Sequence, residues 1–553
     1  MASTIQALPT EVVYLITAGE VIDSLAAVVR ELVENSLDAG ATRIVVSLWP
    51  QQWRIRVADN GCGMDEADLQ QAALAHSTSK IRSSDDLWKI HSLGFRGEAL
   101  HSLTTLADLE IFSRPETSNV GWRVVYGAGG KPRTFAATAI APGTVVTVSD
   151  LFGNCAARRQ GLPTTAQQMR GVQLAIQQIA LCHPHVTWQV WQNDRQWFSI
   201  SPAPTTGQLL PQILPQVRPS DLQEVQLQLP QPQNSTLNLV VGLPDRCHRR
   251  RADWVRVAIN GRMVKCPELE QTILAAFYKT LPRDRYPVCI LKLAISPEQI
   301  NWNRNPAKSE IYLHKIDYWQ EQITQAIDQA LRISPANLKE SFHTTRVSKL
   351  LKVAEAKGGY NLSPQSNQAE NSTQPSLKAI AQLSNTYIVV EHPNGMWLVE
   401  QHIAHERVLY EQICDNWQLV PIEPALILYQ LSSVQVSQLQ RIGIDIEPFG
   451  EQLWAIRTVP ALLQQREDCA EAILELSWGG DLEIAQVAVA CRSAIRNGTP
   501  MNREEMQTLL EQWQKTRNPR TCPHGRPIYL SLEEPALARF FRRNWVIGKS
   551  HGI

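Results

Sequence analysis

Residues 31–42 read Glu31-Leu32-Val33-Glu34-Asn35-Ser36-Leu37-Asp38-Ala39-Gly40-Ala41-Thr42. They close a helical stretch that runs from Ser24 to Ala39, with Ser24 placed to cap its start and Gly40 to stop it. Glu31 and Asn35 are four apart and share one face, while Leu32, Val33 and Leu37 can bury the other. An acid and an amide at that spacing are ordinarily a solvated face, so the pair needs company. Residues 43–48 and 54–58 alternate apolar and polar side chains as strands do. The second of them runs into Asp59-Asn60-Gly61-Cys62-Gly63-Met64. A carboxylate before two glycines suits close backbone approach to a planar ligand, although the same letters make an ordinary turn. Further on, Gly94-Phe95-Arg96-Gly97-Glu98-Ala99-Leu100 is a glycine loop opening a helix, whose first amides suit a phosphate. Each segment alone is weak. The three in this order and spacing form a specific signature.

Composition bounds the rest. The chain has 553 residues with an apolar fraction of 44%, which is globular, and a length that allows roughly three to four domains. Lys plus Arg and Asp plus Glu are 53 each, which excludes a wholesale basic protein but leaves room for a local basic patch. No apolar run approaches the ~20 residues of a membrane span, and the first residues lack a signal-peptide layout. The expectation is a cytoplasmic protein without membrane contact. Ten cysteines, sparse and irregular, read as reduced thiols, and any that come together are metal ligands rather than disulfides. The pattern breaks near Pro202 to Gly207, and a second αβ segment runs to about Ile333. Residues 358–376 (GGYNLSPQSNQAENSTQPS) have linker composition, and order resumes at Leu377. The expected division is 1–206, 207–333, a 334–376 linker and 377–553. Two P-loop decoys fail. Gly548-Lys549-Ser550 has Arg543 where the loop needs glycine, and residues 127–131 read as a hairpin turn.

Together the three segments resemble the ATP-binding signature shared by DNA gyrase, heat-shock chaperones, histidine kinases and MutL. The closer wording resembles the MutL mismatch-repair family at Ile5–Pro9, Thr17–Ile22, Glu31–Thr42, Thr78–Ile81 and Leu93–Leu100. The resemblance covers nearly the whole chain except the linker. It implies an α/β (α+β) fold: an N-terminal Bergerat-type (GHKL) ATPase sandwich, a ribosomal S5-like second lobe, a flexible linker and a C-terminal αβ dimerisation domain. It also implies roles by position. Glu31 is the general base, Asn35 holds Mg2+ and Asp59 accepts the adenine amino group. Gly63 leaves room for the base, and Thr144, in Pro142-Gly143-Thr144, lies on the adenine side. Gly94, Arg96, Gly97, Glu98, Ala99 and Leu100 face the phosphates, and residues 76–90 form a lid. Lys308, in Asn305-Pro306-Ala307-Lys308-Ser309-Glu310, reaches the γ-phosphate from the second lobe, with Asn305 where the family has histidine. Residues 151–159 and 258–262 also match, the former with Cys155-Ala156 in place of Thr-Pro.

The C-terminal third reads Glu400-Gln401-His402-Ile403-Ala404-His405-Glu406, then Ala490-Cys491-Arg492, then Cys522-Pro523-His524-Gly525-Arg526-Pro527. His402 and Glu406 share a helix face, and with Cys491, Cys522 and His524 they suit Zn2+ or Mn2+. The pattern resembles that of the family's metal-dependent endonucleases, in which Glu400 would stand for a catalytic aspartate and Ile403 for an alanine. The alternatives are a scaffold with a structural metal and, further off, a gyrase-like ATPase subunit. The resemblance implies a homodimer that binds DNA without sequence preference, and Arg246 to Arg251 (RCHRRR) would make the phosphate contacts. It also implies MutS as a partner, and a sliding-clamp peptide at Asn416–Pro421. Cys182-His183-Pro184-His185 looks metal-like in spacing but reads as ordinary loop.

Overall fold

Ser24 folds as the N-cap the sequence asks for. Its Oγ accepts from the amide of Ala27 and starts α2 (Leu25–Asp38). Val28, Val29, Leu32 and Val33 are all buried, and burial of these apolar side chains fixes the rotation of the helix. These coordinates are a computed structural model. It describes the chain apart from residues 1–7, 82, 84, 85, 87–89, 91, 95, 96, 230–234, 302–310, 333–376, 393, 394, 535, 536 and 538–553.

The chain forms two units. The first comprises Met1–Val241, Asp253–Ile273 and Val288–Ala326, and the second Gly242–Ala252, Leu274–Pro287 and Ile327–Ile553. In the first unit an eight-stranded sheet is built from β1 (Arg43–Trp49), β2 (Arg54–Asp59), β3 (Asp108–Arg114), β4 (Gly121–Tyr126), β5 (Pro132–Thr138), β6 (Gly143–Ser149), β7 (Thr187–Gln192) and β8 (Arg195–Ile200). Their order is β5-β4-β3-β6-β2-β1-β7-β8, and only β1 and β7 run parallel. Helices that accompany this sheet include α1 (Thr10–Val21), α2, α3 (Glu66–Gln71), α4 (Ala99–Leu106), α5 (Ala156–Gly161) and α6 (Thr165–Cys182). α2 packs against β1, β2 and α6. Register then does functional work: Asp59 pairs with Thr144 across β2 and β6, and Thr144 with Ser113 across β6 and β3.

A five-stranded sheet follows: β9 (Leu222–Leu229), β10 (Ser235–Gly242), β11 (Val255–Ile259), β12 (Arg262–Val264) and β13 (Cys289–Ala294), in the order β12-β11-β13-β10-β9. In the second unit, β14 (Lys378–Leu383), β15 (Tyr387–His392), β16 (Gly395–Glu400), β17 (Leu419–Tyr429), β18 (Ile446–Gly450), β19 (Leu453–Pro460) and β20 (Tyr529–Glu533) make two sheets, β14-β15-β16-β20 and β17-β19-β18. Helix α7 (Gln401–Asp415) serves both cores. Ala404 and Val408 pack with Trp397 and Trp513 in one, and Leu409 and Ile413 with Ile456 and Ile473 in the other. α8 (Leu482–Ser493) lies against α7, as does α9 (Arg503–Gln514). Among the described residues no single helix is long and apolar enough to cross a membrane. α1 and α2, bent by 82°, pass that test only as a pair, and α2 is a core helix.

Candidate functional site: an ATP pocket and a second ligand cluster

The first unit holds a cavity of about 760 Å³. It gathers Glu31, Asn35, Asp59, Gly63, Thr144, Gly94, Gly97, Glu98, Ala99 and Leu100 on its walls. Arg96 and Lys308, as well as Asn305, lie outside the described residues.

At one end, Asp59 accepts from Ser36 Oγ (2.7 Å) and from the Gly61 amide (2.9 Å). Burial pushes its carboxyl above the ordinary aspartate value, partly offset by the hydrogen bonds from Gly61 and Ser36. Thr144 Oγ1 lies 2.9 Å from Ser113 Oγ, and Ser113 accepts from the Met64 amide (2.8 Å). Gly63 has φ +71, and a Cβ there would sit 2.3 Å from the Arg114 carbonyl oxygen. The glycine is thus demanded by backbone packing as well as by space for a ligand.

At the other end, Glu31 is 8% exposed on α2. One turn on, Asn35 Oδ1 faces a cation: Lys80 Nζ lies 3.3 Å away and donates to Asp38 Oδ2 at 2.5 Å. Asp38 also accepts from the amides of Leu93 and Gly94, each at 2.8 Å. Its carboxylate ties the 77–81 segment and the glycine loop to α2. Gly97 has φ +64 with Ser77 O 2.5 Å from the place of a Cβ, so only glycine lets these strands of chain touch. Glu98 occupies the N-cap of α4 without capping it among the described residues, which leaves first-turn amides of Ala99 and Leu100 for a ligand. An amide oxygen aimed at a cation, uncapped helix amides and a buried carboxylate acceptor fit Mg2+ and ATP. Sequence reasoning gave no role to Ser36, Asp38 or Lys80, although all three stand inside the quoted motifs.

In the second unit α7 begins at Glu400, whose Oε2 accepts from the Ile403 amide at 2.5 Å as its N-cap. Its Oε1 is buried with no hydrogen-bond partner among the described residues. Two ligand sets assemble: His402, Glu406 and Cys491, and Glu406, Cys522 and His524, the donor atoms of each within 4.8 Å of one another. Glu400 belongs to neither set. Glu406 is fully buried and shared, with Oε1 at 2.7 Å from His524 Nδ1 and Oε2 at 3.0 Å from Arg526 Nη2. His402 Nδ1 lies 3.0 Å from the Ile495 carbonyl, which turns Nε2 toward Cys491 Sγ at 3.9 Å. The Cys522 sulfur and the Glu406 carboxylate hold the His524 imidazolium up to about 9. Burial alone would raise the Cys522 thiol, yet the hydrogen bonds from His524 and Arg526 bring it below the ordinary value. A buried carboxylate oxygen without a well-directed donor, two thiols and two imidazoles fit a thiophilic divalent metal.

Elsewhere, Asn416–Pro421 is not a free peptide. Leu419 starts β17, and Trp417 and Leu419 pack on the core. Trp417 Nε1 donates to the Ile442 carbonyl. Arg246, Arg250 and Arg251 are exposed and Cys247 is buried. Cys182 is buried, and His183 Nε2 bonds to Gly261 O (2.9 Å), its imidazolium form pushed down to about 4 by burial.

Comparison with known proteins accords with this geometry. Residues 23–126 match the family described as histidine kinase-, DNA gyrase B-, and HSP90-like ATPase. Residues 217–332 match the DNA mismatch repair protein, C-terminal domain, and 380–501 the MutL C terminal dimerisation domain. The DNA mismatch repair protein MutL of Nostoc punctiforme is 79% identical over 100% of both chains, and that of Rippkaea orientalis 61% over the same share. Among solved structures, the Aquifex aeolicus MutL ATPase domain complexed with ADP is 23% identical, covering 55% of this chain and 98% of that one with a TM-score of 0.39. The helix-borne Glu31 and Asn35 over a largely antiparallel sheet, with the loop at Gly94, define an ATPase of the GHKL class. More narrowly, the chain belongs to the MutL family of DNA mismatch-repair proteins, and its C-terminal domain is the family's dimerisation domain.

Proposed function

We propose that the chain works as an ATP-operated homodimeric clamp that links mismatch recognition by MutS to later repair steps, acting on DNA in the cytoplasm. The carrying observation is the register that sets Asp59 beside Thr144 at one end of the cavity while α2 presents Glu31 and Asn35 at the other. Glu31 takes the proton of the attacking water, and Asp59 accepts the adenine amino group and so selects ATP over GTP. Asn35 holds Mg2+, whose charge offsets that of the phosphates. The amides near Gly94 to Leu100 face the phosphates, and residues 76–90 act as the lid. Lys308 reaches in from residues 207–333 and couples nucleotide to lobe closure. Residues 377–553 hold the dimer. Exposed Arg246, Arg250 and Arg251 meet DNA phosphates, so binding weakens steeply with salt. Glu31→Ala should keep ATP binding and lose hydrolysis. Loss of both would remove the assigned role.

His402, Glu406, Cys491, Cys522 and His524 hold Zn2+ or Mn2+, and the site nicks DNA with Glu400 as the catalytic carboxylate. The free Oε1 of Glu400 supports this. The engagement of its Oε2 as the α7 cap favours the other reading, a scaffold whose metal is structural. Supercoiled plasmid with Mn2+ decides between them, run beside Glu406→Ala and Cys522→Ala. Nicking by the wild type alone supports an endonuclease, whereas zinc retention without nicking supports the scaffold. For the sliding clamp, Asn416, Gln418 and Pro421 are the exposed residues of Asn416–Pro421, and Asn416 stands at the first position of the clamp peptide. Asn416→Ala should weaken clamp binding without disturbing the core, and equal binding would remove this partner.

A further inference from the structure

We propose that Arg262 is a positioning residue for ATP hydrolysis, through which the second lobe acts on both the helix that carries Glu31 and the loop that faces the phosphates. This rests on the ATP-site assignment above. Arg262 opens β12, the edge strand of the five-stranded sheet, directly after the Asn260-Gly261 turn. It is 7% exposed. Its Nη2 donates to Glu34 Oε2 at 2.5 Å and to the Leu93 carbonyl oxygen at 2.5 Å. Glu34 is itself buried, one turn from Glu31 and next to Asn35 on α2. The Leu93 amide and the following Gly94 amide are the two that donate to Asp38. One peptide segment is therefore held from both sides: its carbonyl by an arginine of the second lobe, its amides by a carboxylate of α2.

A buried ion pair is poor value as a stabiliser, because desolvation cancels most of the attraction and an apolar pair of similar volume does as well. What an apolar pair cannot do is bond the Leu93 carbonyl. The pair also crosses from the five-stranded sheet to α2, so a shift of the sheet by a fraction of an ångström moves the base-bearing helix and the loop together. Buried Nη1 of Arg262 has no hydrogen-bond partner among the described residues, so Glu34 does not use up the guanidinium. A lysine would keep the charge, but its ammonium ends one atom short of Nη2, the nitrogen that makes both bonds.

The test uses the full chain with Arg262→Lys and the double variant Arg262→Met with Glu34→Met, which removes both charges and strands neither. The expected double variant melts near the wild type and binds a fluorescent non-hydrolysable ATP analogue with nearly wild-type affinity. Its kcat drops on the order of tenfold to a hundredfold, the scale that misplacement of reacting groups produces. Its Leu93 and Gly94 amides exchange hydrogen faster in the nucleotide-free protein, and Arg262→Lys falls between. A folded double variant with wild-type kcat overturns the proposal. So does a parallel fall of melting temperature, affinity and kcat in both variants, which would make the pair purely structural. Should the double variant not fold, Arg262→Lys alone carries the test, and wild-type turnover and exchange in it overturn the proposal. Failure of the wild-type chain to bind the analogue would instead strike the ATP site itself.

Discussion

Asp59 is a carboxylate whose proton affinity its surroundings have raised, and burial is the main cause. Its proposed role as an acceptor for adenine requires the ionised form. The sign follows: a raised value means that the proton returns at a higher pH than for a free aspartate. Nucleotide affinity should therefore be complete at neutral pH and fall on acidification, in a window that begins above the ordinary 3.8. Analogue binding measured from neutral pH downward checks this, with Asp59→Asn as the weak and pH-flat control. A flat wild-type profile would take Asp59 out of base recognition. The residues that sequence reading passed over have a common physical reason. Asp38 meets Lys80, Leu93 and Gly94, which lie 42, 55 and 56 residues away, and Arg262 meets Glu34 across 228. Spacing along a chain exposes pairs on one helix, such as Glu31 with Asn35 or His402 with Glu406. It is blind to partners that only the fold brings together.

At the scale of the element, Glu400 has a structural task that is independent of any catalysis. As the N-cap of α7 it satisfies an amide of the first turn, a job more often given to shorter side chains. Glu400→Ala should cost about 1 kcal/mol in urea unfolding of the C-terminal domain, the usual loss for a removed cap. That loss is expected whether or not the protein nicks DNA, so an unchanged midpoint would mean that water caps the helix equally well. Much of the element structure was legible. The helix expected from Ser24 is α2, started by the Ser24 cap, and the strands expected after it are β1 and β2. The clamp-peptide segment was legible in part. Its letters also read as a loop entering a strand, and Leu419 does start β17, with residues 453–460 pairing with it as β19 and turning Leu419 toward the core. Strand partners more than thirty residues away leave no local mark on a sequence.

For the whole molecule, the proposed metal site around Glu406 would tie metal content to stability. Binding must displace the proton that Cys522 and Glu406 hold on His524 up to about 9, so affinity should rise with pH toward that value and fall on acidification. Chelation should lower the unfolding transition of the C-terminal domain and leave that of the ATPase domain unchanged. Equal transitions before and after chelation would mean that no structural metal is held there. In the ATPase domain the contacts around Leu93 close on themselves. From α2 the path runs through Asp38 to the Leu93 amide, from the Leu93 carbonyl to Arg262, and from Arg262 through Glu34 back to α2. In terms of mechanics this is a closed linkage, and a closed linkage loses its function at the first cut. Opening it at Asp38, Arg262 or Glu34 should slow turnover to a similar degree, and a second cut should add little. Such strong non-additivity between residues on different elements would identify them as one working part.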